Sequence, residues 1–272
     1  MNLESYFISQ MKNKHIGDDG VVVKDMVYSK DAFFEDVHFK KEWLSYYDIA
    51  RKAMLVNISD AIAMNAQPLY ALLSVAMPSS MKREDMQQLA QGFLQTAKEF
   101  GIEIIGGDTL SNTKLDITVT IISSTKRPLY RKGLRENYLV AYTGKIGDSL
   151  KELKKLFNRG KIHKNSKFIN ITLRQQLVKN LSRHISSGMD ISDGLFSDLE
   201  KLSQENRKTF SFFYSIEKRV GCSGEEYEML IAFDKRQRKA VLRRSKQSRV
   251  KLTIFAQAKR GKYSNRCKAH HF

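Results

Sequence analysis

Apolar and polar positions along the first half of the chain alternate between two periods. Residues 21–29, VVVKDMVYS, are strand-like and rich in β-branched side chains. They run into KDAFFEDVHF (30–39), where Phe33, Val37 and Phe39 alternate with Asp36 and His38 as a strand would have them. Residues 46–56, YYDIARKAMLV, change to helical periodicity, and LYALLSVAMP (69–78) reads as a buried strand closed by Pro78. Residues 81–101 form an amphipathic pattern with Met86, Leu89, Phe93, Leu94 and Ala97 on one face, and Gly101 suits the position just past a helix end. Short strands follow at 102–109 (IEIIGGDT) and 114–125 (KLDITVTIISST). This order predicts a mixed α/β layer over residues 21–125. The first fifteen residues read as a helix broken at His15-Ile16-Gly17.

A turn-rich, basic connection over residues 127–144 places a domain boundary near Asn137, dividing the chain into 1–137 and 138–272. The second part predicts a strand at 138–143, a helix in KIGDSLKELKKLF, and a helix that starts within SSGMDISDGLFSDLEKLSQEN (186–206). A Gly-bracketed acidic turn and a strand follow at 221–233, then a helix near 235–246 and a strand at 249–256.

Length and composition bound this picture. At 272 residues, 42% of them apolar, the chain suits one large domain or two ordinary ones. No apolar run is long enough to span a bilayer, and the opening residues mix charges without an apolar signal region, so no membrane partner is expected. Cys222 and Cys267 provide neither a disulfide framework nor zinc-ligand spacing, which makes a reducing cytoplasm the default. The net charge is +18, but fourteen Lys or Arg and no Asp or Glu lie beyond Asp234, so most of the excess is C-terminal. A basic face of this kind reads as solvated surface, as a collector of small phosphorylated ligands, or as a nucleic-acid surface. The last is disfavoured because the rest of the chain is close to balanced.

Asp60 changes the picture most. It stands in NISDAIAMNAQP (57–68), an apolar, small-residue stretch in which a carboxylate needs a cation or several donors. Read locally, Ser59 or Asp60 caps a helix through Ala61–Met64, and GDDG (17–20) is a tight turn. Five further carboxylates, however, recur at predicted strand ends or helix starts beside small residues: Asp19, Asp31, Asp108, Asp190 and Asp193. Oxygen ligands in such numbers suit Mg2+, which keeps substrate phosphates in its shell. No P-loop pattern and no protein-kinase set of motifs is present. The residues alone reach no further than a Mg2+-nucleotide site.

Six segments add more when taken together. GDD (17–19), DAFFEDVHF (31–39), NISDAIAMNAQPLYALLSVAMP (57–78), IIGGDT (104–109), MDISDGLFSDL (189–199) and SGEEYEMLIAF (223–233) stand in the order and at about the separations seen in thiamine-monophosphate kinases. The chain resembles that family over most of residues 15–233. The resemblance implies an α/β (α+β) fold of the two-domain aminoimidazole ribonucleotide synthetase-like type. Its N-terminal mixed sheet pairs in a homodimer, and its C-terminal α/β domain completes the nucleotide and substrate site. It implies transfer of the ATP γ-phosphoryl group to thiamine monophosphate, with several Mg2+ ions. By motif match, Asp19, Ser29, Lys30, Asp31, Asp60, Asp108, Asp190 and Asp193 fall at metal-binding positions. Gly107, Asp108, Arg131 and Ser192 match ATP contacts, and His38 and Glu225 match positions that touch thiamine monophosphate. The acceptor is a phosphate oxygen, so no catalytic base is assigned.

Three departures stand out. Lys30 occupies a position where the family usually carries Thr, residues 207–222 are compressed, and Ala269 stands where an aromatic is expected in the C-terminal segment KAHHF. The alternatives are a superfamily relative that uses ATP on another substrate and a basic nucleic-acid-binding protein.

Overall fold

The computed structural model describes residues 3–11, 15–265 and 267–268. Ala269 and the residues after it lie outside the described residues. The N-terminal part contains α1 (Leu3–Gln10), β1 (Val21–Val23), β2 (Met26–Phe34), α2 (Tyr46–Ala63), β3 (Gln67–Pro78), α3 (Arg83–Phe100), β4 (Glu103–Asn112) and β5 (Asp116–Ser124). The C-terminal part contains β6 (Leu139–Thr143), α4 (Asp148–Phe157), α5 (Gln175–Leu181), β7 (Ser187–Asp190) and α6 (Leu195–Asn206). It continues with β8 (Lys208–Phe212), α7 (Lys218–Gly221), β9 (Met229–Phe233), α8 (Arg238–Gln247) and β10 (Leu252–Arg260).

Among the described residues the strands form two five-stranded sheets. The first runs β1-β2-β5-β3-β4 and is antiparallel except for β3 and β4, which are joined through α3 and lie parallel. The second runs β7-β9-β6-β10-β8 and is antiparallel throughout. The chain crosses from one sheet to the other between Ser124 and Leu139. This is the two-domain α/β architecture that the motifs imply.

α2 holds the two halves together. Ser45 caps it, its Oγ accepting the Asp48 N–H at 3.1 Å. Thirteen of its 18 residues are buried, because one side packs on β2 and β5 while another meets β7 and α5. A helix buried on nearly every side must be apolar on nearly every side, which is why its sequence gives so little amphipathic signal. Ser59 and Asp60 are therefore interior helix residues, not caps. The local reading of a second helix starting there is overturned: a single helix runs on to Ala63, and Asn65 in the left-handed region (φ 53°) ends the turn after it.

Other boundaries also shift. Residues 21–34 make a hairpin turned at Lys24 (φ 58°), so the predicted single strand is two. The expected continuation to Phe39 gives way to a turn in which Asp36 has φ 64°. The last strand is Leu252–Arg260 instead of 249–256. α3 ends as predicted, with Gly101 at φ 67° and the Ile102 N–H reaching back to the Ala97 carbonyl at 2.8 Å.

The two cysteines also depart from expectation. Cys222 and Cys267, 45 residues apart, are joined in a disulfide with Cα atoms 5.6 Å apart. The bridge ties the C-terminal segment to the loop after α7. The sequence reading found no framework in two cysteines, and so no sign that β10 and the residues after it carry the second one back to the first.

Candidate active site

Three elements converge on one acidic point. The loop at 17–20 supplies Asp19, the last turn of α2 supplies Asp60, and the end of β7 supplies Asp190. One carboxylate oxygen from each lies within 4.8 Å of the others. Ser59 donates to Asp190 Oδ2 at 2.5 Å, locking α2 to β7 beside the cluster. Asn57, one turn earlier, does the same for β2: its Oδ1 accepts the Asp31 N–H at 2.6 Å, and its carbonyl accepts Ser29 Oγ at 3.2 Å. Asp31 is thereby brought close enough to bear on Asp60.

The electrostatics follow from this packing. Asp60 is pushed well above the usual carboxyl range by burial first, and then by Asp31, Asp190 and Asp19. Asp190 is raised in the same way, by burial and then by Asp19, against the opposing hydrogen bond from Ser59. Arg131 offsets part of this charge. Its Nε and Nη2 both bind Asp19 Oδ1, the first at 3.1 Å, and its Nη1 donates to the Gly17 carbonyl at 3.2 Å. Its backbone N–H donates to Asp18 Oδ1 at 2.6 Å, so both aspartates of the GDDG turn are committed to one residue. One guanidinium does not satisfy the cluster: Asp19 Oδ2 is buried and has no hydrogen-bond partner among the described residues. An orphaned buried carboxylate oxygen beside the buried Asp190 and the half-buried Asp60 is a donor set for a hard cation.

Beside the cluster lies a cavity of about 620 Å3 that gathers residues predicted for three different roles. Asp31 and Asp193 line it with Ser192, and so do His38 and Glu225. Trp43 and Tyr227 add aromatic surface. His38 is held by the turn after β2, where its Nδ1 accepts the Phe34 N–H at 3.0 Å. Asp193 pairs with Lys201, which binds Asp193 Oδ2 at 2.5 Å and Asp198 Oδ1 at 3.0 Å. Asp198 is fully buried, and burial raises its carboxyl to about 6.

The acidic turn GEEYE divides its charges among three partners. Glu225 binds Lys52 Nζ at 3.1 Å. Glu226 accepts the Gly147 and Ser149 N–H groups, 2.7 and 3.2 Å away, at the start of α4. Glu228 accepts both Arg174 Nε and Nη2, at 2.8 and 2.6 Å. The turn is thus a fixed wall of the cavity.

Two expected residues stand apart. Strand alternation puts Ser29 and Asp31 on one face of β2 and Lys30 on the other, where Lys30 Nζ lies 3.4 Å from Thr118 Oγ1. The Lys30 side chain thus leaves the face that carries Ser29 and Asp31, and only its backbone faces the same way as theirs. Asp108 lies on the outer strand β4. The row Asp31–Val119–Leu73–Gly107 crosses three strand spacings, about 14 Å in all, and Asp108 is exposed. Within one chain Asp108 does not join Asp19, Asp60 and Asp190.

Comparison with known proteins agrees with this geometry. Residues 17–124 match the family described as "AIR synthase related protein, N-terminal domain". The thiamine-monophosphate kinase of Bacillus subtilis (strain 168) is 33% identical over 207 residues, 70% of this chain and 63% of that protein. The Nitrosopumilus maritimus (strain SCM1) thiamine-monophosphate kinase is 28% identical over 235 residues, 79% of this chain and 76% of that one. The chain closely resembles thiamine-monophosphate kinase. Its fold is also that of a solved structure described as "AaThiL complexed with AMPPCP and TMP", with a TM-score of 0.86 at 23% identity, covering 96% of this chain and 91% of that one. The "HypE-HypF complex" structure shares the fold at a TM-score of 0.79 and 16% identity, covering 96% of this chain and 93% of that one.

The sequence reading missed several residues around the site. Asn57 was quoted within its motif but given no task, though it docks α2 on β2. Asp198 and Lys201, both in α6, are set apart by nothing in the sequence. Lys52 carried a signal that went unread: a lysine inside YYDIARKAMLV, a segment otherwise suited to a core.

Proposed function

We propose that this protein transfers the γ-phosphoryl group of ATP to thiamine monophosphate, giving thiamine diphosphate and ADP. The observation that carries the reading is the Asp19–Asp60–Asp190 cluster, with an Asp19 oxygen that is buried and unpartnered among the described residues, beside a cavity that gathers His38, Ser192 and Glu225. Its donor set fits Mg2+. Asp19, Asp60 and Asp190 would hold the ion, with Asp31 and Asp193 at the edge of the cavity and Ser29 and position 30 contributing from β2. Bound there, Mg2+ supplies neutralisation of the phosphate charge.

The chain's own groups do the rest. Arg131 is a permanent cation at the cluster, since its guanidinium is raised further by Asp19 and Asp190 against the cost of burial. The acceptor oxygen belongs to a phosphate and is already anionic, so in-line placement and charge compensation suffice and no side chain removes a proton. Ser192, at the mouth of the loop before α6, is placed to donate to ATP. His38 and Glu225, which line the cavity, would hold thiamine monophosphate.

Gly107 and Asp108 require a second copy. Nearly every residue of β4 is exposed, including Ile105 and Leu110, and exposed apolar side chains continue in Tyr70 and Leu72 on the neighbouring β3 and Tyr28 on β2. We assign this surface to a homodimer contact, through which Asp108 reaches the site of the other copy. We assign the protein to the cytoplasm, where ATP and Mg2+ are supplied. No described helix is long and apolar enough to cross a membrane.

The deciding assay incubates purified protein with ATP, Mg2+ and thiamine monophosphate. Thiamine diphosphate should form in step with ADP. ATP consumed only when an aminoimidazole precursor is supplied would transfer the reading to another superfamily reaction.

A further inference from the structure

Lys52 has no exposed surface, yet it is a lysine in the middle of a core helix. Its Nζ lies 3.5 Å from the centroid of the Phe168 ring and 5.9 Å from that of Phe33. The only carboxylate it binds among the described residues is that of Glu225, at 3.1 Å. A pair that served packing alone would be replaced by apolar side chains at little cost, because desolvating two charges consumes most of their attraction. This pair is also lopsided. The lysine is completely enclosed, whereas the Glu225 side chain keeps 25% of its surface and lines the substrate cavity.

The neighbouring acids sharpen the contrast. Glu226 and Glu228 have cations of their own in Lys167, 2.8 Å from Glu226, and Arg174, 2.6 Å from Glu228. Only Glu225 turns away from these and toward α2. Its backbone is in the left-handed region (φ 55°), its N–H donates to the Ser192 carbonyl at 2.6 Å, and its own carbonyl accepts Ser149 Oγ at 2.8 Å. Main chain and side chain are therefore fixed from three directions. Lys52 precedes Asp60 by two helical turns, about 12 Å along the axis. The same rigid helix sets the acidic cluster at one point and the Glu225 carboxylate at another.

We propose that Lys52 is a positioning residue for substrate selection: held between Phe168 and Phe33, it fixes the Glu225 carboxylate at the cavity wall in the place that receives thiamine monophosphate. The inference rests on the proposed function. Lys52 does not line the cavity and touches no reacting atom. Its removal should therefore act on binding of the phosphate acceptor and leave the ATP half of the reaction alone.

Steady-state kinetics with each substrate varied in turn tests this, using wild type, Lys52→Met, Glu225→Gln and the double variant. Methionine keeps the length of the side chain between the two rings and leaves Glu225 able to reach water. Lys52→Met should raise KM for thiamine monophosphate about tenfold, with KM for ATP and kcat within about twofold of wild type, as expected when ground-state and transition-state binding are lost together. In the Glu225→Gln background the same substitution should add nothing. Should Lys52→Met not accumulate as folded protein, Lys52→Arg serves in its place. The longer planar guanidinium displaces Glu225 and should give the same division between the two KM values. Wild-type KM for thiamine monophosphate in the folded variant, equal rises in both KM values, or full additivity with Glu225→Gln overturns the proposal. The two failures are distinguishable: a wild type that makes no thiamine diphosphate removes both readings, whereas an active wild type with an unaffected Lys52 variant removes only this one.

Discussion

Asp60 shows how one residue can be misread locally and understood through its neighbours. In isolation it resembles a helix cap. In the folded chain it is a half-buried residue inside α2, with a carboxylate oxygen within 4.8 Å of one each from Asp190 and Asp19. Its raised carboxyl is the consequence: without a cation, the cluster relieves its repulsion by holding protons. A group with a raised folded pKa favours the folded state at low pH, and that contribution is lost as pH rises through the folded value. Mg2+ held there as proposed would compete with those protons, so its stabilising effect should grow as they leave. Addition of Mg2+ should therefore raise Tm more at pH 8 than at pH 6. Asp60→Asn should remove that dependence and abolish turnover while the far-ultraviolet circular dichroism stays that of wild type. An Asn variant with near-normal activity would eliminate the ion-bridging role.

Among the elements, α2 and the loop after α7 matter most. α2 joins both sheets to the site through Asn57, Ser59 and Lys52, three polar residues on a helix that is otherwise core. The loop after α7 carries Glu225 three residues beyond Cys222, and the disulfide to Cys267 ties it to the C-terminal segment. Closing a loop of 45 residues restrains the unfolded chain and contributes about 2–4 kcal/mol. Treatment with a reductant, or the Cys222→Ser substitution, should lower Tm by several degrees. An unchanged Tm would mean that the bridge adds nothing to stability. Because the bridge lies outside the acidic cluster, the same treatment should leave KM for ATP unchanged.

For the whole molecule, the question is what covers β4. One chain places Asp19, Asp60 and Asp190 around one point, with the Asp31 charge acting on Asp60, and leaves Asp108 about three strand spacings from Asp31 on an exposed edge. The proposed second copy would account for both the exposed edge and the isolated carboxylate. Sedimentation equilibrium should give about twice the 31.3 kDa chain mass. Mixing an inactive Asp60→Asn chain with an inactive Asp108→Asn chain should restore part of the activity, since a mixed dimer contains one site with both aspartates intact. Mixtures that remain inactive, or a monomeric wild type, would show that Asp108 serves its own chain or none.

Legibility in the sequence followed the range of the interaction. The strands at 69–78 and 114–125, the helix over 81–101 and its glycine end were readable because each depends on side-chain periodicity and one local turn. The aspartates were readable as a set because carboxylates among small apolar residues demand compensation wherever they are. The join of 46–56 with 57–63 into one helix could not be read. Only burial on both sides by separate sheets makes that helix apolar all round, and this erases the periodicity that would have announced it. The Cys222–Cys267 bridge, the link from Lys52 to Glu225 and the separation of Asp108 from the other aspartates were likewise decided by the tertiary structure. In each case the partners are 45 or more residues apart, and nothing local distinguishes a pair that meets from one that does not. The chain's own pattern determined which residues needed a partner. The packing of two sheets around α2 determined which partner each received.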